Sequence, residues 1–429
     1  DSRLTGGSGD YDIGHVFSTG AGGLASLGVV CDDAFKAEGV TGIMKPVGDA
    51  YYIDFVAHEI GHQFSANHSF NGTTDNCGGG NRNPATAFEP GSGTTIMAYA
   101  GICDAENVQT SSESAGGASD DTFHAGSIDE IINFTRIGSA KTCAASSTNG
   151  NTAPVANAGM NYTIPGRTPF ELSGSATDVN PADILTYQWD EMDAGTETNF
   201  FTYGTDLGNN ALFRSFAPSS TPVRTLPRIE TIVSGVDDKA ETLPNSDRIL
   251  NFRLTVRDQN LGVDDDDMQV TVNKNSGPFR VLSAATAVTL DVTQPQVLEW
   301  DAACTGFAPV SCASVDILLS TDSGASFTSI LAATANDGEE TVNFPMVNST
   351  TALIKIACTG NIFFDVNHSL ITLQQGSGSA LVSTGAGGTG SNCTPVSSGS
   401  SSGGIFSMNF WFLAALLMCR RLYRRSAGT

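Results

Sequence analysis

Positive charge is what this sequence has least of. Its 429 residues carry 21 Lys and Arg against 45 Asp and Glu, a formal net charge of −24. A surface of that sign repels phosphate backbones and excludes nucleic acid as a partner. The acidic residues are scattered, as in a solvated extracellular protein. Histidine is rarer still, with 6 in the whole chain. No CxxC pair occurs, which argues against a closed cysteine-zinc module. Nine cysteines suit an oxidising compartment, and the odd count leaves at least one unpaired. The chain opens at Asp1 with neither an initiator methionine nor a signal peptide, and we read it as the C-terminal part of a longer precursor.

What the chain does have is a change of texture along its length. Residues 1–145 carry every histidine except His368. In that stretch 9–18 alternates Tyr11, Ile13, His15 and Phe17 and reads as a strand; 23–31 reads as another. Ile53, Val56, Ala57, Ile60 and Phe64 fall at helical spacing, with Asp49 as N-cap, and 126–137 reads as a second helix. A Ser/Thr/Asn/Gly linker follows. Residues 153–275 and 277–374 are short β-type runs between turn residues and read as two β-sandwiches, the first with a long irregular insertion at 190–248. Residues 376–404 read as a Gly/Ser-rich tether, and 405–425 as an apolar segment closed by Arg420, Arg421, Arg424 and Arg425. Its fifteen-residue apolar part, 405–419, is short for a membrane span.

Half of the histidines sit in HEIGHQFSANH, residues 58–68. On a helix His58 and His62 share one face, opposite the apolar stripe, and Glu59 lies beside them. Two imidazoles so placed can grip one Zn²⁺, with Glu59 in reach of a water on the metal. His68 is too far along for the same face. The chain must turn sharply after the helix to bring it back, and three histidines leave one tetrahedral position open, as catalytic zinc sites do.

This pattern, with GSGTTIMAYAGIC at 91–103, resembles the metzincin zinc endopeptidases, whose HExxHxxGxxH is followed by a Met-turn. The order of strand, loop and helix is similar to the adamalysin/reprolysin branch. The resemblance implies an α/β catalytic domain, N-terminally incomplete here, with His58, His62 and His68 as zinc ligands and Met97 beneath them. It implies Glu59 as general base for a zinc-activated water attacking peptide bonds of protein substrates, and 9–18 as the cleft-edge strand. In the astacin and serralysin branches a tyrosine at the position of Tyr99 contacts zinc or the reaction oxyanion; a packed turn tyrosine is the other reading. The pattern departs at Ser65, where the family has glycine. A left-handed serine costs about 1–2 kcal/mol there.

Other residues keep two readings. Cys31, Cys77, Cys103 and Cys143 allow three pairings, while Cys304 and Cys312 are near enough to pair with each other. His15 and His124 either line the cleft or are satisfied structural histidines. Asp264–Asp267 is either a Ca²⁺-binding acidic loop or a solvated hairpin. The first sandwich resembles PKD or cadherin-like modules. The tail resembles GlyGly-CTERM sorting signals, which implies transient insertion in the inner membrane of a Gram-negative bacterium and cutting by a rhomboid-like protease; an uncleaved anchor is the alternative. The expectation is a monomeric, secreted or surface-displayed zinc metalloendopeptidase. The competing class is a non-catalytic surface adhesin on a degenerate metzincin scaffold.

Overall fold

The computed structural model describes residues 8–20, 22–109, 119–145, 147, 149–390 and 393. The segment expected at 405–425 lies outside them, and no helix among the described residues is long and apolar enough to cross a membrane.

The N-terminal unit is α/β. Strands β1 (Val16–Ser18), β2 (Gly22–Ala25) and β3 (Gly39–Gly42) form one sheet in the order β1-β3-β2, β1 parallel and β2 antiparallel to β3. The expected 9–18 strand is shorter than its alternation suggested, because Gly14 N–H donates to Lys36 O (2.7 Å) and Cys31 N–H to Asp12 O (2.8 Å), pairing that stretch with loops. The 23–31 strand also stops early. Gly28, at φ 65°, turns the chain so that its N–H reaches His62 O (2.9 Å) and Val29 N–H reaches Gln63 O (3.0 Å).

Residues 49–63 are helical throughout, as α turns at Asp49–Tyr51 and His58–Gln63 with a π-helical stretch, Tyr52–Ala57, between them. Gly48, at φ 88°, occupies the N-cap, so Asp49 is the first helical residue and not the cap. The apolar stripe divides between two neighbours. Ile53 and Ala57 pack with Ala66, Ile96 and Met97, whereas Phe64 packs with Val30 and Phe134. His58 and Glu59 are deeper than this stripe, at 3% and 7% exposed, whereas Ile53, Val56, Ala57, Ile60 and Phe64 are all half-buried. A second helix runs over 125–137. Disulfides Cys31–Cys143 and Cys77–Cys103 select one of the three possible pairings.

The second unit holds β4 (Val155–Asn157), β5 (Tyr162–Pro165), β6 (Phe170–Ser173), β7 (Ser175–Thr177), β8 (Thr186–Glu191), β9 (Val223–Leu226), β10 (Arg248–Arg257) and β11 (Val263–Asn273). A four-stranded sheet, β5-β11-β10-β8, accompanies the pairs β4-β7 and β6-β9. The 190–248 insertion reads as irregular in sequence because buried charge anchors it. Arg248 meets Asp206 (3.0 Å) and Glu191 (3.6 Å), and Glu191 accepts Leu212 and Phe213 N–H (both 2.7 Å). The acidic run is neither a calcium loop nor a solvated hairpin tip. It lies inside β11, where Asp264 and Asp266 accept Ala156 and Ala158 N–H (2.9 and 3.0 Å) and Asp265 and Asp267 face Arg253 (3.4 and 2.7 Å). Alternation along a strand sends successive carboxylates to opposite faces.

The third unit is also two sheets, of three and five strands with one further strand attached to each. Cys304 and Cys312 do not pair with each other; Cys304 bonds Cys393 and Cys312 bonds Cys358. The stretch expected as a tether is folded onto this unit as far as it is described. Thr384, Gly385 and Ala386 N–H converge on Glu299 Oε1 (2.9, 2.8 and 3.2 Å), and Gly388–Thr389 is a strand. Small residues there permit close backbone approach, which composition alone cannot tell from flexibility. Both sandwiches share one apolar core through Phe170, Phe279 and Phe363.

Candidate metal centre

The helix places His58 and His62 one turn apart, and the turn after it returns His68 to their side. Ser65 makes that turn at φ 78°, with its N–H on His62 O (2.8 Å) and Ala66 N–H on Gly61 O (3.0 Å). A serine thus takes the left-handed position that glycine would hold without strain.

The three Nε2 atoms form a near-equilateral triangle, with sides of 3.1 Å (His58–His62), 3.1 Å (His62–His68) and 3.2 Å (His58–His68). Each Nδ1 lies on a backbone carbonyl: Ile96 O (2.7 Å), Ala66 O (2.7 Å) and Asn81 O (2.6 Å). A carbonyl only accepts, so each Nδ1 carries the proton and each Nε2 presents a bare lone pair. Burial, reinforced by the neighbouring rings for His58 and His68, pushes these pKa values down, that of His68 to about 4, so all three are neutral near pH 7. Three lone pairs aimed at one point repel unless a cation lies among them. The donor set and spacing fit a tetrahedral divalent ion with nitrogen ligands near 2.0–2.1 Å.

Glu59 lies at the same cleft, its pKa raised to about 7 by burial. The cleft, about 570 Å³, is walled by Gly23–Leu27 on one side and 80–84 on the other. A Cβ on Gly23 would overlap the Glu59 carboxylate, so glycine here lets β2 pass close without displacing that side chain. The strand over the site is therefore β2; the expectation that 9–18 forms the cleft edge is corrected, because β3 separates β1 from β2. Tyr99 packs against His68 (ring centroids 4.6 Å) and His58 (5.7 Å) and stacks on Phe70 (4.7 Å). Burial and then Glu59 push its phenol up to about 12. Met97 is fully buried under the helix, and a Cβ at Gly61 would come within 2.5 Å of its sulfur. His15 and His124 do not line the cleft. His15 bonds Gln63 (2.8 Å) and Thr41 (2.7 Å), and His124 caps the 125–132 helix by accepting Gly126 N–H (3.0 Å).

Sequence reasoning missed Glu89, Asn71 and Arg82. Glu89 accepts Ser69 Oγ–H (2.6 Å), Thr94 N–H (2.7 Å) and Thr95 N–H (3.1 Å), fixing the approach to Met97. Asn71 is fully buried behind His68, and Arg82 lines the cleft with two donors on Asn71 Oδ1. No motif marks them: Glu89 draws its donors from the turn at Thr94 and Thr95 and from Ser69, while Asn71 and Arg82 reach Thr196 and Gly195 of the next unit.

Three converging imidazoles, an adjacent carboxylate and a methionine turn beneath define a candidate hydrolytic metal centre. Residues 3–123 match the family model described as metallo-peptidase family M12B, reprolysin-like, which supports a zinc metalloprotease in general terms. No curated protein matches the chain. Solved structures similar to it include the Ig1-2 module of Drosophila receptor protein tyrosine phosphatase DLAR (8% identity, 53% of this chain and 100% of that one, TM-score 0.27). Others are Bacteroides ovatus SGBP-B with a mixed-linkage heptasaccharide (12%, 52% and 48%, TM-score 0.15) and protocadherin gammaB7 EC3-6 (12%, 52% and 52%, TM-score 0.18). Scores of this size leave the β-rich architecture to be argued from its own strands.

Proposed function

We propose that this protein is a secreted or surface-displayed zinc metalloendopeptidase of the metzincin type. The observation that carries the reading is the triangle of bare Nε2 lone pairs beside Glu59. His58, His62 and His68 would hold Zn²⁺, which supplies Lewis acidity to a water and to the scissile carbonyl. Glu59 takes a proton from the attacking water and delivers it to the leaving amine. Tyr99, neutral at working pH, donates a hydrogen bond to the oxygen on which charge develops. The outer edge of β2 pairs with an extended substrate backbone. Ser65 is one support for the alternative, a non-catalytic adhesin, and it weakens because the serine makes the turn and His68 arrives. Secretion belongs to this reading through the tail, and intact-mass measurement of secreted protein tests it: a mass including Arg420–Arg425 would sink release at Gly403–Gly404. Casein zymography of the full chain, with and without a zinc chelator and beside Glu59→Gln, tests the activity. Clearing that survives chelation or the substitution would overturn it.

A further inference from the structure

We infer that residues 195–198 of the second unit act as a positioning clamp for the third histidine, so that the β-sandwich helps set the metal site. This rests on the proposal that His58, His62 and His68 hold a metal. The first two histidines ride on a helix, and their Nδ1 acceptors, Ile96 O and Ala66 O, belong to the same unit. His68 has no helix to orient it. It depends on the backbone that carries it, 68–73, and on the loop whose Asn81 carbonyl receives its Nδ1–H.

Both stretches end on the same four residues of the next unit. Asn71, three residues beyond His68, accepts Thr198 N–H on its carbonyl (3.1 Å) and donates its amide to Thr196 O (3.0 Å). Thr73 Oγ–H donates to Thr198 O (2.7 Å). Arg82, next to Asn81, donates to Asn71 Oδ1 through Nε (3.0 Å) and Nη2 (2.8 Å), and Nη2 also reaches Gly195 O (2.5 Å). Thr198 Oγ–H donates to Glu106 Oε1 (2.9 Å), while Glu106 Oε2 accepts Thr73 and Thr74 N–H (2.8 and 2.7 Å). The clamp is itself held, since Thr196 N–H donates to Asn209 Oδ1 (3.1 Å). Arg82 and Asn71 thus join the segment bearing His68 to the loop bearing its Nδ1 acceptor, and both to the sandwich. Groups of this kind fix ring orientation, and losing one typically costs about 10–100-fold in metal affinity.

The test uses the full chain with Arg82→Ala, Arg82→Lys and Thr73→Val. Zinc affinity is read by competition with a chromophoric chelator, and ligand geometry by the visible spectrum of the Co²⁺-loaded protein. Arg82→Ala should weaken zinc about 10-fold or more and alter the cobalt spectrum. Arg82→Lys should recover part, because one ammonium reaches Asn71 or Gly195 but not both in the fork geometry. Thr73→Val removes only the hydroxyl link to Thr198, keeps the shape, and should give a smaller loss in the same direction; it stands in if Arg82→Ala does not fold. Wild-type zinc affinity in Arg82→Ala, or in Thr73→Val where that variant stands in, overturns the clamp. A wild-type chain that binds no zinc overturns instead the metal-site reading beneath it.

Discussion

Glu59 and Ser65 show what a single side chain decides here. The three Nε2 atoms face one another, and the proposed mechanism uses Glu59 to move protons rather than bind metal. Glu59→Gln should keep zinc near one equivalent while peptide hydrolysis falls by about 10²–10⁴; metal content and turnover, measured on one preparation, separate the two. Tyr99 lies against His58 and His68 with its phenol protonated at working pH. Tyr99→Phe should lower kcat about 10-fold with KM and zinc content unchanged. An unaltered kcat would make it a packing residue beside Phe70. Ser65 is held left-handed, so Ser65→Gly should stabilise the protein by about 1 kcal/mol, visible as a higher midpoint in urea. Legibility at this scale followed the chemistry. The convergence of His58, His62 and His68 could be read because helical spacing and scarce histidines mark it. Their Nδ1 acceptors could not, because Ile96, Ala66 and Asn81 act through backbone carbonyls that any residue would supply.

Elements were legible where a period ran long enough and illegible where loops did the pairing. Helices stand at 49–63, where the apolar spacing predicts one, and at 125–137, each combining α turns with a π-helical stretch. Residues 11–15 alternate like a strand yet hydrogen-bond to loops, and Asp264–Asp267, which looks like a solvated loop, is a strand because each carboxylate found a donor. The turn under the 58–63 helix is held the same way. Glu89 is fully buried, and both its oxygens accept from Ser69, Thr94 and Thr95. Glu89→Gln keeps the shape but turns an amide donor toward those donors. It should destabilise by about 1–3 kcal/mol and loosen Met97. The check is chemical unfolding, with zinc content as a second readout; an unchanged midpoint would mean the turn holds without the carboxylate.

On the scale of the whole molecule, the N-terminal unit and first sandwich are connected by the Ser/Thr/Asn/Gly stretch at 145–153 and are also joined by charge and hydrogen bonds. Arg253 of β10 binds Asp129 of the 125–137 helix (2.5 Å), Arg214 meets Asp120 (3.3 Å), and Asp190 accepts Ala125 N–H (3.2 Å). Arg253 and Asp190 are themselves buried, so separating the units would leave charged groups with lost partners, at several kcal/mol in aggregate. Under the proposed function, zinc would bind only the folded N-terminal unit, and at 100 times its dissociation constant it would stabilise that unit by about 2.7 kcal/mol. If the interface couples the units, this stabilisation reaches the sandwiches too. Calorimetry of the full chain should then show the sandwich transition moving up with zinc, although the sandwiches hold none of the three histidines. Asp129→Asn removes the charge opposite Arg253 without changing volume, and in that variant the zinc-induced shift should shrink on the sandwich transition while persisting on the N-terminal one. Two transitions in the wild type, of which zinc moves only the first, would show that the units melt separately and that the buried Arg253 contact does not couple them.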